Sequence, residues 1–270
     1  MKAPVTPVRV TRPTVGEDQY DDLLVTEEPL EIRLGHGPLE DRKEIRLSVT
    51  MRTPGHDEEL ALGFLYTEGI ITSPEEVLRV VQCQNVKEEE LGNVIRAELD
   101  HSIQLDPEKW QRNFYTTSSC GVCGKSSLDA VLVECDPIVP FGDIDPQMIT
   151  GLPEKMRAAQ TVFKHTGGIH AAALFDRNGT LRILREDIGR HNAVDKVIGE
   201  MLMNKIEPAG KMMLVSGRAG FELVQKCAVA GIPFMAAIGA PSSLAVDLAR
   251  RTGMVLIGFL RGEQFNIYTP

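Results

Sequence analysis

The sequence lacks several features that mark common classes of protein. It has no apolar run long enough to span a bilayer, because its most apolar segment, residues 227–240, is short and contains Gly231 and Pro233. It also lacks an excess of basic residues, since 38 acidic residues against 29 basic ones give a formal charge of −9. A general nucleic-acid-binding protein needs a basic surface. We therefore expect no membrane span and no nucleic-acid partner, while a local basic pocket remains compatible with this charge.

Cysteine is scarce, with five residues in a chain of 270. Disulfide scaffolds are short chains rich in paired cysteines, so this number indicates a reduced, intracellular protein. The first residues carry no apolar stretch typical of a signal peptide, and we expect a cytoplasmic location. Neither a Gly-x-Gly-x-x-Gly fingerprint nor a Walker loop is present, so the sequence supports neither a dinucleotide oxidoreductase nor a P-loop NTPase.

The residue pattern predicts three parts along the chain. Residues 1–22 are proline-containing and aperiodic, which predicts a flexible arm. Residues 23–140 mix alternating, strand-like runs with a helix beginning at Asp57, which predicts a smaller α+β part. Residues 141–270 alternate between apolar strands and amphipathic helices, which predicts a three-layer α/β domain with a sheet covered on both faces.

Two local patterns in the last part give sharper expectations. The runs 170–175 and 180–184 flank a turn that contains Asn178-Gly179, and Asn-Gly is a strong hairpin signal. Upstream, Leu152, Met156 and Phe163 share one face, which predicts a single helix ending at Gly167.

Three strand ends in the α/β part carry polar residues. Arg190 and His191 open one helix, Arg218 opens the next, and the stretch Phe259-Leu260-Arg261-Gly262-Glu263-Gln264 follows the last apolar strand. Ligands of open α/β sheets bind beyond the carboxyl ends of the strands, where helix N-termini attract anions. These residues are therefore candidates for a phosphate-binding site. The alternative is ordinary capping and salt bridging with Glu186 and Asp187.

A Cys-x-x-Cys motif lies in a segment rich in small and hydroxyl side chains, residues 116–127. This composition predicts an exposed loop, in which Lys125 would favour the thiolates of Cys120 and Cys123. Such a pair binds zinc, exchanges a disulfide or carries sulfur as a persulfide. A structural zinc site needs a second close cysteine pair, which is missing, so a persulfide carrier or a redox pair is favoured. The remaining cysteines, Cys83, Cys135 and Cys227, are expected to pack in the core.

The predicted hairpin followed by βαβ units, with His191 at the first helix start, is similar to the frame of zinc-dependent cytidine deaminases. Those enzymes need His-x-Glu there and a Cys-x-x-Cys pair at the next helix start. This chain has His191-Asn192-Ala193 and, at the second position, Ser216-Gly217-Arg218-Ala219. The frame is expected without the deaminase chemistry and without a metal site.

Several motifs together resemble the FdhD family, the formate dehydrogenase accessory sulfurtransferases. They are residues 53–69, the Cys120 loop, and the ranges 185–196, 216–225 and 240–246. The resemblance implies a cytidine-deaminase-like fold and a homodimer. It implies that a cysteine desulfurase passes sulfur to Cys120 as a persulfide, with Cys123 assisting. It also implies that the sulfur is delivered to the molybdenum bis(molybdopterin guanine dinucleotide) cofactor, which formate dehydrogenase needs, and that residues 259–264 match the cofactor-binding stretch of the family.

Two other functions remain open from the sequence. One is a non-catalytic carrier that binds and protects the molybdenum cofactor. The other is a zinc or thiol-disulfide redox protein built on the Cys-x-x-Cys pair.

Overall fold

The computed structural model describes residues 2–14, 16, 19–103 and 138–270. Cys120, Cys123 and Cys135 lie outside these ranges. The described chain has a mixed α/β architecture with one large sheet, one small sheet and a two-stranded ribbon.

The large sheet is formed by residues after 169 and has the strand order β12-β11-β10-β9-β7-β8. Strands β9, β10 and β11 are parallel, whereas β7 runs antiparallel to both β8 and β9, and β12 runs antiparallel to β11. The strands are β7 (His170–Asp176), β8 (Leu181–Asp187), β9 (Lys211–Val215), β10 (Phe234–Ala237), β11 (Val255–Arg261) and β12 (Gln264–Thr269). The predicted hairpin is confirmed as β7 and β8.

Helices cover both faces of the large sheet, as the apolar strands predict. One face packs against the helices that follow β8, β9 and β10, and the other packs against the helices that precede β7. The first set is α5 (Arg190–Met203), α6 (Phe221–Val229) and α7 (Ser243–Thr252); the second contains α2 (Pro146–Thr150), α3 (Leu152–Ala159) and α4 (Thr161–Thr166). Alternation along β9 illustrates the principle: Met213 and Val215 face the first set, whereas Met212 and Leu214 face the second.

The small sheet has the order β4-β3-β6-β5, and its apolar face packs against α1. Its elements are β3 (Glu28–His36), β4 (Lys43–Arg52), α1 (Asp57–Thr67), β5 (Val77–Gln82) and β6 (Val94–Leu99). Helix α1 lies between this sheet and α5. The two helices approach closely at Gly63 and Gly199, where an added Cβ would stand 1.9 Å from a carbonyl oxygen of the other helix.

Two buried lysines tie the small sheet and α1 to the large-sheet part. Lys196 Nζ on α5 lies 2.7 Å from Asp187 Oδ2 and donates to the Thr53 carbonyl at 2.9 Å. Lys226 Nζ on α6 contacts Asp195 Oδ2 and Glu68 Oε1, each at 3.0 Å. Burial of charged groups is tolerated only when they are paired in this way.

Two expectations about local structure were wrong. Residues 5–11 and 19–25 form a hairpin, β1 (Val5–Thr11) with β2 (Gln19–Val25), instead of a loose arm, because the two strands pair antiparallel along their whole length. The single helix expected over 152–163 is broken at Gln160, whose backbone is extended (φ −70°, ψ 107°). Among the helices of the described ranges, none is long and apolar enough to cross a membrane.

Candidate functional site

The strand directions bring four strand ends and two strand starts to the same edge of the large sheet. Strands β8, β9, β10 and β11 all end there. Strand β7 begins there with His170, which lies between the ends of β8 and β9, and β12 begins there with Gln264 opposite Arg261. We call this the carboxyl edge. It is the place where α/β sheets bind ligands, because the connecting turns and the helix N-termini face outward from it.

Arg190 and His191 occupy the first turn of α5 at this edge. His191 Nε2 donates to Glu222 Oε2 on α6 at 2.6 Å, and both side chains are largely buried. Arg190 is half-buried close to His170. Burial, and then the positive charge of Arg190, lower the pKa of His170, which favours the neutral form of its imidazole. A neutral imidazole offers one donor and one acceptor to a ligand.

The carboxylates expected to neutralise the arginines are occupied elsewhere. Glu186 accepts the backbone N–H groups of Val162 and Phe163, each at 2.8 Å, and so caps α4. Asp187 pairs with a buried lysine and accepts the Gly189 N–H at 2.8 Å. Neither Arg190 nor Arg218 forms an ion pair with another residue of the described chain. Within the described residues, the carboxyl edge of this acidic protein therefore carries two arginines without a carboxylate partner.

The stretch 259–264 ends β11, turns and begins β12 at this edge. Phe259 has a left-handed backbone (φ 55°), its ring is 43% exposed, and its N–H donates to the Gly239 carbonyl at 3.0 Å. Leu260 is fully buried, and Arg261 Nε donates to the Ile238 carbonyl at 3.2 Å. The remaining residues, 262–264, form the exposed turn into β12. A left-handed backbone at an exposed aromatic residue is an arrangement found at functional sites.

A cavity of about 330 Å³ opens beside this stretch, on the face covered by α3 and α4. It is lined by Pro153, Met156, Arg157, Gln160, Phe163, Ile169, His170, Ser216, Ile238, Leu260 and Arg261. Of these lining residues, only Leu260 and Arg261 were candidate site residues in the sequence analysis. His170 was detectable as a polar residue at the start of a strand between two strand ends. Gln160 and Arg157 gave no such signal, because their place in the cavity depends on the break between α3 and α4.

The cysteines separate into three cases. Cys227 is fully buried on α6, and burial raises the pKa of its thiol to about 12, which confirms the expected core role. Cys83 is only half-buried beside a second cavity near Arg33 and Arg96, so the core role expected for it was wrong. The Cys-x-x-Cys pair, Cys120 and Cys123, lies outside the described residues, as does Cys135. In the ranges that the structure does describe, no group of three or more His, Cys, Asp or Glu side chains is placed to hold a metal ion.

Fold and site together define a mixed α/β protein with a positively charged, ligand-sized cavity at the carboxyl edge of its main sheet. A sequence model of the FdhD/NarQ family matches residues 25–270. The chain belongs to this family.

Curated relatives agree with the family match. The sulfur carrier protein FdhD of Streptomyces coelicolor is 49% identical over 253 residues, covering 92% of this chain and 87% of the relative. The sulfur carrier protein FdhD of Mycobacterium tuberculosis is 48% identical over 257 residues, with 92% and 90% of the two chains covered. Among solved structures, a candidate formate dehydrogenase accessory protein from Desulfotalea psychrophila superposes with a TM-score of 0.68 at 26% identity, covering 98% of this chain and 96% of that one.

Proposed function

We propose that this protein is a sulfurtransferase that takes sulfur from a cysteine desulfurase and delivers it to the molybdenum bis(molybdopterin guanine dinucleotide) cofactor of formate dehydrogenase. The names of the relatives support a sulfur carrier and a formate dehydrogenase accessory role. The observation that supports the binding half of the proposal is the positive charge of Arg190 and Arg218 at the carboxyl edge, which no carboxylate of the described ranges pairs with. Anionic phosphates of a nucleotide-bearing cofactor fit that charge.

The loading step uses Cys120 as the nucleophile. Its thiolate attacks the terminal sulfur of the donor's persulfide, forming a new S–S bond at Cys120 while the donor S–S bond breaks and the donor cysteine leaves as a thiolate. The exchange is redox-neutral. Attack of Cys123 on the inner sulfur then releases the terminal sulfur as sulfide, the form that a metal binds, and leaves a Cys120–Cys123 disulfide.

The wider setting belongs to the same proposal. The cofactor is cargo, held at the carboxyl edge by Arg190, His191, Arg218 and residues 259–264. The desulfurase and formate dehydrogenase are the protein partners, the protein acts in the cytoplasm, and it assembles as a homodimer. The strand-and-helix frame of the large sheet derives from the cytidine deaminase type, without that enzyme's zinc ligands.

The test is sulfur loading followed by mass spectrometry. After incubation with a cysteine desulfurase and cysteine, the wild-type chain gains the mass of one labile sulfur on the peptide that contains Cys120. Cys120→Ser gains none and fails to activate formate dehydrogenase, while Cys83→Ser, the matched control, loads and activates normally. Full activation by Cys120→Ser contradicts the proposal. Activation without any labile sulfur points instead to a carrier that only protects the cofactor.

A further inference from the structure

The small sheet has a cavity of its own, on the face that turns away from α1. Apolar residues such as Ile32 and Ile95 face α1, so their neighbours along β3 and β6 point the opposite way, onto what we call the outer face. The cavity has a volume of about 540 Å³, within the usual range of ligand pockets, roughly 300–1,000 Å³. Residues of all four strands line it, and none of these described residues lines the cavity at the carboxyl edge.

Arginines stand opposite one another on three neighbouring strands of the outer face. Arg33 on β3 pairs in register with Arg46 on β4 and with Arg96 on β6. Like charges that face each other across strands are destabilising, so they need a counter-charge. Glu44 supplies it, because its two carboxylate oxygens lie 3.2 Å from Arg33 Nη1 and from Arg96 Nη1. This carboxylate of the cavity wall is therefore already engaged.

Arg79 on β5 differs from those arginines, because it forms no ion pair within the ranges that the structure describes. Its register partner is Glu98 on β6. The Glu98 carboxylate leans over Gly35, on the far side of β6, where it pairs with Arg42 at 2.7 Å and with Arg96. Arg79 is left exposed at the cavity. A free guanidinium of this kind favours a carboxylate, whose two oxygens match its fork of donors.

The cavity wall also holds one donor and one acceptor that are buried and lack a hydrogen-bond partner in the described chain. They are Arg96 Nε and Gln82 Oε1. The other end of the Gln82 amide, Nε2, donates to Asp57 Oδ2 at 3.2 Å, which fixes Oε1 as the acceptor. Unpaired buried groups are costly. A peptide segment offers both kinds of partner, because each residue other than proline has one N–H and one C=O group.

Strand β5 bounds the cavity and is the last strand of its sheet in the described chain. None of its residues is buried, whereas most residues of β6 are. Cys83, directly after β5, donates its N–H inward to the Val94 carbonyl at 2.9 Å. Inward and outward backbone groups alternate along an antiparallel strand, so those of Val80 and Gln82 point to the free edge. Such an edge is a template on which another strand can pair.

We propose that β5 and the cavity beside it dock an extended, acidic segment of a partner protein, which adds one more strand to the small sheet. The main chain of the segment pairs with Val80 and Gln82, and a carboxylate on its outer-face side pairs with Arg79. Main-chain pairing supplies affinity in this mode of recognition, and the side chains on one face supply specificity. Arg33 and Arg96 behind Arg79 disfavour a basic segment. Docking at this face does not depend on the sulfur chemistry proposed above.

Fluorescence anisotropy with labelled hexapeptides, added to the full chain, is the first measurement. The probe is Thr-Glu-Val-Glu-Thr-Glu with blocked termini, and its charge control has lysine in place of each glutamate. We expect the glutamate peptide to bind about tenfold more tightly than the lysine peptide, as one charge-assisted contact predicts. No binding of the glutamate peptide, or equal binding of the two peptides, overturns the proposal.

Two N-methylated forms of the glutamate peptide test the main-chain pairing. One is methylated at every glutamate and the other at every intervening residue, so each removes one of the two alternating sets of N–H groups. A paired strand uses a single set. We therefore expect one form to lose about tenfold in affinity and the other to bind like the parent peptide. Equal affinities of the two forms contradict strand addition.

Arg79→Gln removes the charge from an exposed side chain that has no ion pair in the described chain, so the fold is expected to persist. We expect the variant to bind the glutamate peptide about tenfold more weakly. Arg251→Gln, at an exposed arginine on α7, is the matched control and retains the wild-type affinity. Unchanged binding by Arg79→Gln, or an equal loss in both variants, overturns the role of Arg79.

Amide hydrogen exchange, followed by NMR with and without the peptide, locates the bound segment. An added strand slows exchange at Val80 and Gln82, whose N–H groups point to the free edge, and leaves Cys83 unchanged. Binding that slows neither Val80 nor Gln82 refutes strand addition. Inorganic sulfate is the competitor for a small-anion site, and sulfate that displaces the peptide at equal concentration shows that the cavity binds an anion instead of a protein segment.

Discussion

Replacement of Lys226 by methionine tests the buried charge cluster that joins α6 to α5 and α1. The Lys226 side chain is 6% exposed, and its Nζ contacts Asp195 Oδ2, Glu68 Oε1 and the Thr67 hydroxyl at 2.8–3.0 Å. Burial acts to lower the pKa of Lys226, but the charges of Asp195 and Glu68 outweigh it and raise the pKa. Lys226→Met preserves volume and removes the cation that Asp195 and Glu68 share.

The expected loss is about 3–5 kcal/mol in the free energy of unfolding, the cost of removing one partner from a buried ion pair. This is a large part of the total stability of a domain, about 5–15 kcal/mol. Urea denaturation measures it as a lower midpoint at an unchanged slope. Lys87→Met is the matched control, because Lys87 is 74% exposed and 4.0 Å from Glu89, and it is expected to change stability by less than about 0.5 kcal/mol.

The double variant Lys226→Met with Asp195→Asn separates charge from packing. If the cost comes from the unpaired carboxylate, the second change restores a substantial part of the lost stability, since neutral replacements of buried ion pairs are tolerated. A Lys226→Met midpoint equal to that of Lys87→Met, or a double variant less stable than Lys226→Met, would refute the reasoning.

Three further outcomes follow from the structure. Burial opposes ionisation of Glu59, but Arg185 and His56 outweigh it and lower its pKa to about 2. The ionised carboxylate therefore adds up to about 3 kcal/mol to the free energy of unfolding above pH ~4.5, and this contribution is lost as the pH falls toward 2. Urea midpoints measured across this range show the loss, and in Glu59→Gln the midpoint depends less on pH. Gly199→Ala places a Cβ 1.9 Å from a carbonyl oxygen of α1, which lowers stability by about 1–3 kcal/mol in thermal melts, whereas Gly168→Ala, with no atom nearer than 3.9 Å, does not. Arg190→Gln weakens GDP binding by about 1.5–3 kcal/mol in calorimetry, and an equal loss with the exposed Arg250→Gln would contradict a specific role for Arg190.

The spacing of apolar residues predicted most of the helices and strands, because each of these elements buries one apolar face against a sheet or a helix. Apolar and polar side chains alternate along residues 44–50, which lie in β4. The Asn178-Gly179 turn joins β7 to β8, and the apolar segments predicted within residues 141–270 include β9, β10 and β11. The hairpin of residues 5–25 gave no such signal, because an exposed two-stranded ribbon needs no apolar face.

The carboxyl edge was predictable in outline and not in detail. Strand ends of an α/β sheet converge by topology, so Arg190, Arg218 and Phe259 were assigned to one edge from their positions in the sequence alone. In the described chain, Arg190 and Arg218 lack carboxylate partners because Glu186 and Asp187 point toward other groups. The spacing of residues in the sequence does not predict these side-chain directions.

The sequence by itself determined the acidic balance, the α/β class, the family motifs and the strand ends that form the edge, because each follows from residue type and short-range pattern. Only the tertiary structure decided what Glu186 does. Its carboxylate accepts the first backbone N–H groups of α4 and the Gln160 amide, at the residue where the predicted helix is interrupted. Contacts between residues far apart in the chain set this geometry, and local propensity carries no information about them.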